Sequence, residues 1–169
     1  MIKAVAVALV LGSGGAQAEP EVIATQPIAF VTRGVEVSYE RLAAQKWSWV
    51  AMVGARLAAE DDYDSSTFTL GGELRWWPRR RTPMRGPYIG AHASAGHTTV
   101  SDEMGTIGAS LELTERIDVG WRWRVMRHLT LAPSLGVGTI EEVDETGRLA
   151  TTARLTVAFG FELGWWHGS

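Results

Sequence analysis

The chain has 169 residues, net charge −3 and no cysteine, with a mass of 18.4 kDa and a mean hydropathy of −0.01. That is one domain's length, and the absence of cysteine excludes a disulfide framework, a thiolate metal site and a cysteine nucleophile. The weakly acidic balance gives no footprint for nucleic acid, and no run beyond residue 18 approaches the ~18 apolar residues of a membrane helix.

In chain order, Met1 to Ala18 reads as a cleaved secretory signal, with one cation (Lys3), an apolar run Ala4 to Leu11 and small residues ending Ala16-Gln17-Ala18. Residues 19–169 then form one domain. From about residue 33 the chain alternates with period two, the mark of strands with one apolar face. The alternation predicts strands at 34–42, 47–58, 67–77, 87–97, 107–125, 129–140 and 149–166. The longest apolar set runs Ile107, Ala109, Leu111, Leu113, Ile117, Val119, Trp121, Trp123, Val125, and only Glu115 interrupts it. An even strand number suits closure, so Val22 to Val31 is expected as an eighth, initial strand, joined through a tight connection at Thr32 to Gly34. Pro27 makes it a poor central strand.

The connections alternate. Short ones carry turn chemistry or basic residues (Ala43 to Lys46, Pro78 to Gly86, Met126 to His128). Longer ones are acidic (Ala59 to Ser66, His97 to Thr106, Glu141 to Arg148). That pattern predicts an all-β up-and-down meander with long loops at one end.

Period two alone leaves open a soluble lipocalin-like barrel, apolar inside, and a membrane barrel, apolar outside. Glycine, charge and tryptophan favour the second. The polar parity holds Gly54, Gly71, Gly90, Gly96, Gly108, Gly120, Gly136, Gly138, Gly160 and Gly164, which a solvated face does not need and a narrow bore does. The same parity carries the acids Glu36, Glu40, Glu73, Glu112, Asp118 and Glu162 and the bases Arg56, Arg75, Arg116, Arg122, Arg124 and Arg154. This balance suits an enclosed, paired interior, because an unpaired buried charge is costly. All eight tryptophans fall at the short-turn end. Trp47, Trp49, Trp76, Trp121, Trp123 and Trp165, with Tyr88, are expected to form an aromatic girdle at a lipid headgroup level.

Several stretches carry a family likeness: Gln26-Pro27-Ile28 through Gly34 to Tyr39-Glu40-Arg41, Gly72-Glu73-Leu74-Arg75-Trp76-Trp77-Pro78, Arg85-Gly86-Pro87-Tyr88-Ile89-Gly90, Gly120-Trp121-Arg122-Trp123, and Leu131 through Pro133 to Gly138. With these the chain resembles small bacterial outer-membrane β-barrel proteins of the OmpA-like transmembrane-barrel type, including a single-barrel family of unknown function. The resemblance implies an eight-stranded antiparallel up-and-down transmembrane β-barrel in the outer membrane of a Gram-negative bacterium. It also implies a monomer whose partners are outer-membrane lipid and the insertion machinery. The last strand, with Phe159, Phe161, Leu163 and Trp165, resembles the terminal signal that machinery reads, although His167-Gly168-Ser169 follow the aromatic.

One spacing tempts an enzyme reading: His92-Ala93-Ser94, since a lipid A-deacylating barrel uses a His and a Ser two apart on one strand. A His–Ser pair with an orienting carboxylate is sound nucleophile chemistry. By parity, however, both side chains point inward, and His92 is expected to hydrogen-bond Glu73 or Glu112. The acidic groups Asp61, Asp62, Asp64 and Glu141, Glu142, Asp144, Glu145 match no EF-hand spacing and read as solvated charge. Arg79-Arg80-Arg81 reads as a solvated turn. No cofactor, metal or nucleic-acid partner is expected. The resulting expectation is an integral outer-membrane barrel with a closed, salt-bridged lumen, acidic external loops and a structural or surface-interaction role. The alternatives are a periplasmic lipocalin-like ligand-binding barrel and a lipid A-modifying enzyme.

Overall fold

The computed structural model describes residues 20–27, 34–60, 63–78, 84–102, 105–144 and 149–167. The expected signal, Ile28 to Arg33 of the expected first strand and its connection, Arg79 to Arg81, and Asp61, Asp62 and Glu145 lie outside these residues. Eight strands follow one another: β1 (Glu21–Thr25), β2 (Gly34–Ala44), β3 (Trp47–Glu60), β4 (Tyr63–Trp76), β5 (Gly86–Asp102), β6 (Gly105–Arg124), β7 (Leu129–Asp144) and β8 (Leu149–His167). Each pairs antiparallel with its neighbour, and β1 pairs with both β2 and β8, so the sheet closes into a barrel in chain order. Closure removes both sheet edges.

The first strand is shorter than the alternation suggests. β1 ends at Thr25, before Pro27, and its ladder on β8 covers only Leu163 to His167. Pro27 has no N–H to donate. The chain leaves the ladder there, with the Gln26 amide N–H reaching the Glu36 carbonyl at 3.4 Å.

The long acidic connections are also corrected. β3 and β4 pair up to Glu60↔Tyr63, β5 and β6 to Asp102↔Gly105, and β7 continues to Asp144. Most of what composition marks as loop is extended hairpin. Ser65, Ser66 and Thr67 face Val100, Thr99 and Thr98 across the ladder, where the Thr67 and Thr98 hydroxyls meet at 2.9 Å, and such cross-strand pairs stabilise a sheet. Charge ends the apolar pattern there but does not end the backbone pairing.

Parity sets the faces as expected. The outer surface presents Leu70 at 56%, Ile117 at 57% and Leu155 at 78% exposure, while Glu40, Arg75 and Arg122 inside are each only 2% exposed. Burial is therefore inverted relative to a protein built around an apolar core.

An apolar plug closes the short-turn end of the bore. Val22, Ala24, Trp77, Met84, Tyr88 and Trp166 pack together there. Trp77 and Tyr88 meet at 5.0 Å between ring centroids, and Met84 enters from the β4–β5 connection with φ +55°. Tyr88 is thus not part of an outward girdle: β5 places it on the Gly90 and His92 parity, 2% exposed. The six tryptophans named for the girdle do face outward or lie half-exposed at this end, and Trp77 and Trp166 turn inward.

Glycine makes room for these interior groups. Tyr88 lies opposite Gly120 in the β5–β6 register, with its ring against the space a Cβ would occupy, whereas a Cβ at Gly108 would meet nothing. Gly120→Ala is expected to destabilise the barrel by about 1–3 kcal/mol, as overpacking does, and Gly108→Ala to leave it unchanged. Urea titration of the two variants checks this, and equal midpoints would contradict the packing described.

Candidate functional site

Above the plug the bore holds a cluster of five charged side chains from four strands. Arg75 on β4 is central. Its Nη1 donates to Glu40 Oε2 at 2.8 Å and its Nη2 to Glu73 Oε2 at 2.7 Å, and it also pairs with Glu162 on β8. Arg122 on β6 donates Nη2 to Glu40 Oε2 at 2.6 Å and to Glu162 Oε2 at 3.0 Å. The planar guanidinium suits such shared carboxylates.

The aromatic plug completes the arginine environment. Arg75 lies over the Tyr88 ring at 4.7 Å and Arg122 over Trp77 at 5.4 Å, so faces without hydrogen-bond acceptors meet the negative faces of π systems. Trp77 donates its indole N–H to Ser48 Oγ at 2.8 Å, and Ser48 donates to Glu40 Oε1 at 2.5 Å. Plug and charge cluster form one connected unit.

The remaining expected lumen charges do not join it. Arg56, Glu112 and Arg154 share the inward parity but are exposed, and no ion pair holds them among the described residues. Arg124 donates to the Arg127 carbonyl at the rim, its Nε at 2.9 Å, beneath Trp166. Glu36 accepts from Gln26 Nε2 at 2.6 Å. Asp118 pairs with Arg116 Nε at 2.7 Å. The expected even balance of acids and bases is therefore not a set of mutual pairs, because Arg56, Glu112 and Arg154 are exposed to solvent.

His92 and Ser94 point inward, as their parity predicts. His92 Nε2 lies 3.2 Å from Ser94 Oγ, so its hydrogen bond goes to Ser94 and not to Glu73 or Glu112. Its other nitrogen, Nδ1, has no partner, and neither do Glu73 Oε1 and Asp118 Oδ2. Glu73, His92 and Asp118 are all buried, with potential ligand atoms within 4.8 Å of one another. No carboxylate hydrogen-bonds Nδ1, so the His–Ser pair lacks the oriented third member of a nucleophile triad. Sequence spacing could not reveal this trio, since its members come from three adjacent strands. A cavity of about 380 Å³ lies beside it, lined by Glu36, His92, Ser94, Arg116 and Thr156 among others.

Fold and interior together define a closed eight-stranded barrel with an apolar exterior and a buried charge cluster. No family model, curated protein or solved structure matches the chain.

Breaking a buried pair leaves uncompensated charge, which costs about 3–5 kcal/mol. Arg75→Met should therefore lower unfolding stability by that amount, whereas Arg154→Met should stay within about 0.5 kcal/mol. Equilibrium unfolding of the refolded barrel measures both, and a tolerant Arg75 would contradict the central role of the cluster.

Proposed function

We propose that this chain is an integral outer-membrane β-barrel protein with a closed lumen and a structural or surface-interaction role. The observation that carries this reading is the inverted burial. Large aliphatic and aromatic side chains cover the outside while arginines and carboxylates fill the inside, and water is a poor solvent for that exterior. A lipid surround needs the backbone satisfied within the sheet, which a closed barrel achieves. The six outward tryptophans at one end support an interfacial aromatic belt. A lipocalin-like carrier needs an apolar bore, and this one is charged.

The extended hairpins at the opposite end carry exposed Asp64, Glu141 and Glu142, which supports an acidic face outside the membrane. His92 Nδ1 has no carboxylate partner, which weighs against the hydrolase alternative. Lipid is the partner the outer face fits, with the insertion machinery during biogenesis.

Two experiments test the reading. The expressed protein should fractionate with the outer membrane and migrate differently on gels before and after boiling, and a water-soluble monomer recovered without detergent would overturn the proposal. Reconstituted in planar bilayers, it should show no conductance above background at neutral pH, because the plug and the Arg75 cluster fill the bore, and steady ionic current would refute closure. Glu115, exposed on the outer face between Ile117 and Leu113, gives a further check. A carboxylate there costs stability in a lipid surround, so Glu115→Leu should raise unfolding stability in lipid vesicles, and a loss would contradict lipid contact at this position.

A further inference from the structure

We propose that Glu73, His92 and Asp118 form a binding site for one divalent transition-metal cation of the zinc or manganese class, held on the inner face of the barrel. Three buried side chains each keep one atom without a partner, Glu73 Oε1, His92 Nδ1 and Asp118 Oδ2, and each group is more than nine-tenths buried. Buried polar atoms left without a partner are costly, and three brought together share one remedy. One potential ligand atom from each of the three side chains lies within 4.8 Å of the others, a span that a cation with bonds of ~2.0–2.6 Å can bridge.

The surrounding groups hold the ligands as an outer coordination shell does. Arg75 takes Glu73 Oε2 and Arg116 takes Asp118 Oδ1, leaving the other oxygen of each free. Ser94 Oγ meets His92 Nε2. With the proton on Nε2 donated to Ser94, the Nδ1 lone pair is left for a metal. Gly90 cradles the free Glu73 oxygen, since a Cβ there would occupy its place.

Charge points the same way. Among the described residues, four buried carboxylates (Glu40, Glu73, Asp118, Glu162) face two buried guanidiniums (Arg75, Arg122). Half-buried Arg116 and Glu36 offset each other, and half-buried Arg124 lies away from these groups, bonded to the Arg127 carbonyl at the rim. The deficit is two positive charges, which one divalent ion supplies. An imidazole ligand and carboxylates shared with arginine favour a transition metal over calcium or magnesium, which seek oxygen-rich cages. The cavity beside His92 and Arg116 gives a route of entry.

The full-length chain, refolded, stripped with EDTA and titrated calorimetrically with zinc chloride, should bind one equivalent, and magnesium chloride should not compete. His92→Ala and Asp118→Asn should abolish that equivalent and Ser94→Ala should weaken it about tenfold, whereas His97→Ala should retain it. Boiling-dependent gel migration verifies that each variant is folded. Should the buried variants fail to fold, manganese titration of the unsubstituted, isotope-labelled protein decides the matter. It should broaden the His92 ring resonances and spare those of His97, His128 and His167. Absence of stoichiometric zinc binding, binding unchanged in folded His92→Ala, or broadening confined to the other histidines would overturn the site.

Discussion

Side chains fill much of the bore of an eight-stranded barrel, and this chain buries two arginines and four carboxylates there. Everything else follows from satisfying them. Arg75 must meet Glu40, Glu73 and Glu162 at once, which ties β2, β4 and β8 to one guanidinium and fixes their relative register. Arg122 adds β6 to the same set. The cluster thus specifies closure across the barrel in a way that neighbouring ladders alone do not, because its members lie on opposite walls. A paired buried ion is weak evidence for net stability, but a shared one links strands that never touch.

The plug is the other half of that solution. Tyr88 and Trp77 provide the aromatic faces on which the two guanidiniums rest, and Ser48 relays the Trp77 indole to Glu40. Trp77 is anchored in turn by its backbone N–H to the Lys46 carbonyl at 2.8 Å, so the β2–β3 turn and the end of β4 hold the plug in place. Lid, cation stack and ion cluster are successive layers along the bore, and small residues such as Gly120 leave the space they need.

Period two makes most of this legible in the sequence. The parity that assigns Glu73, Arg75, Arg122 and Glu162 to one face places them inside, and the Gly-rich polar face marks a confined interior. Chain order also reveals that the tryptophans gather at one end. Parity does not give height within the bore, and the differences between sequence and structure arise there. Arg154 and Arg56 share the inward parity with Arg75 but lie at the open end, so they need no partner. Tyr88 sits near the same turn as the tryptophans, although its parity with Gly90 turns it inward. The acidic stretches resemble loops only if charge and strand composition exclude each other, and Ser65 to Thr67 pair with Thr98 to Val100 regardless. The Glu73–His92–Asp118 trio is illegible in sequence because cross-strand register, not spacing, brings it together.

In the membrane reading proposed above, the apolar outer face meets lipid while the inward aromatics do not. Single-tryptophan variants retaining only Trp123 or only Trp77, folded into vesicles of lipids brominated at different acyl-chain depths, read this directly by fluorescence quenching. Strong quenching of Trp123, greatest with bromines near the headgroups, and little quenching of Trp77 are expected. Unquenched Trp123 in vesicles that retain the folded protein would contradict that reading.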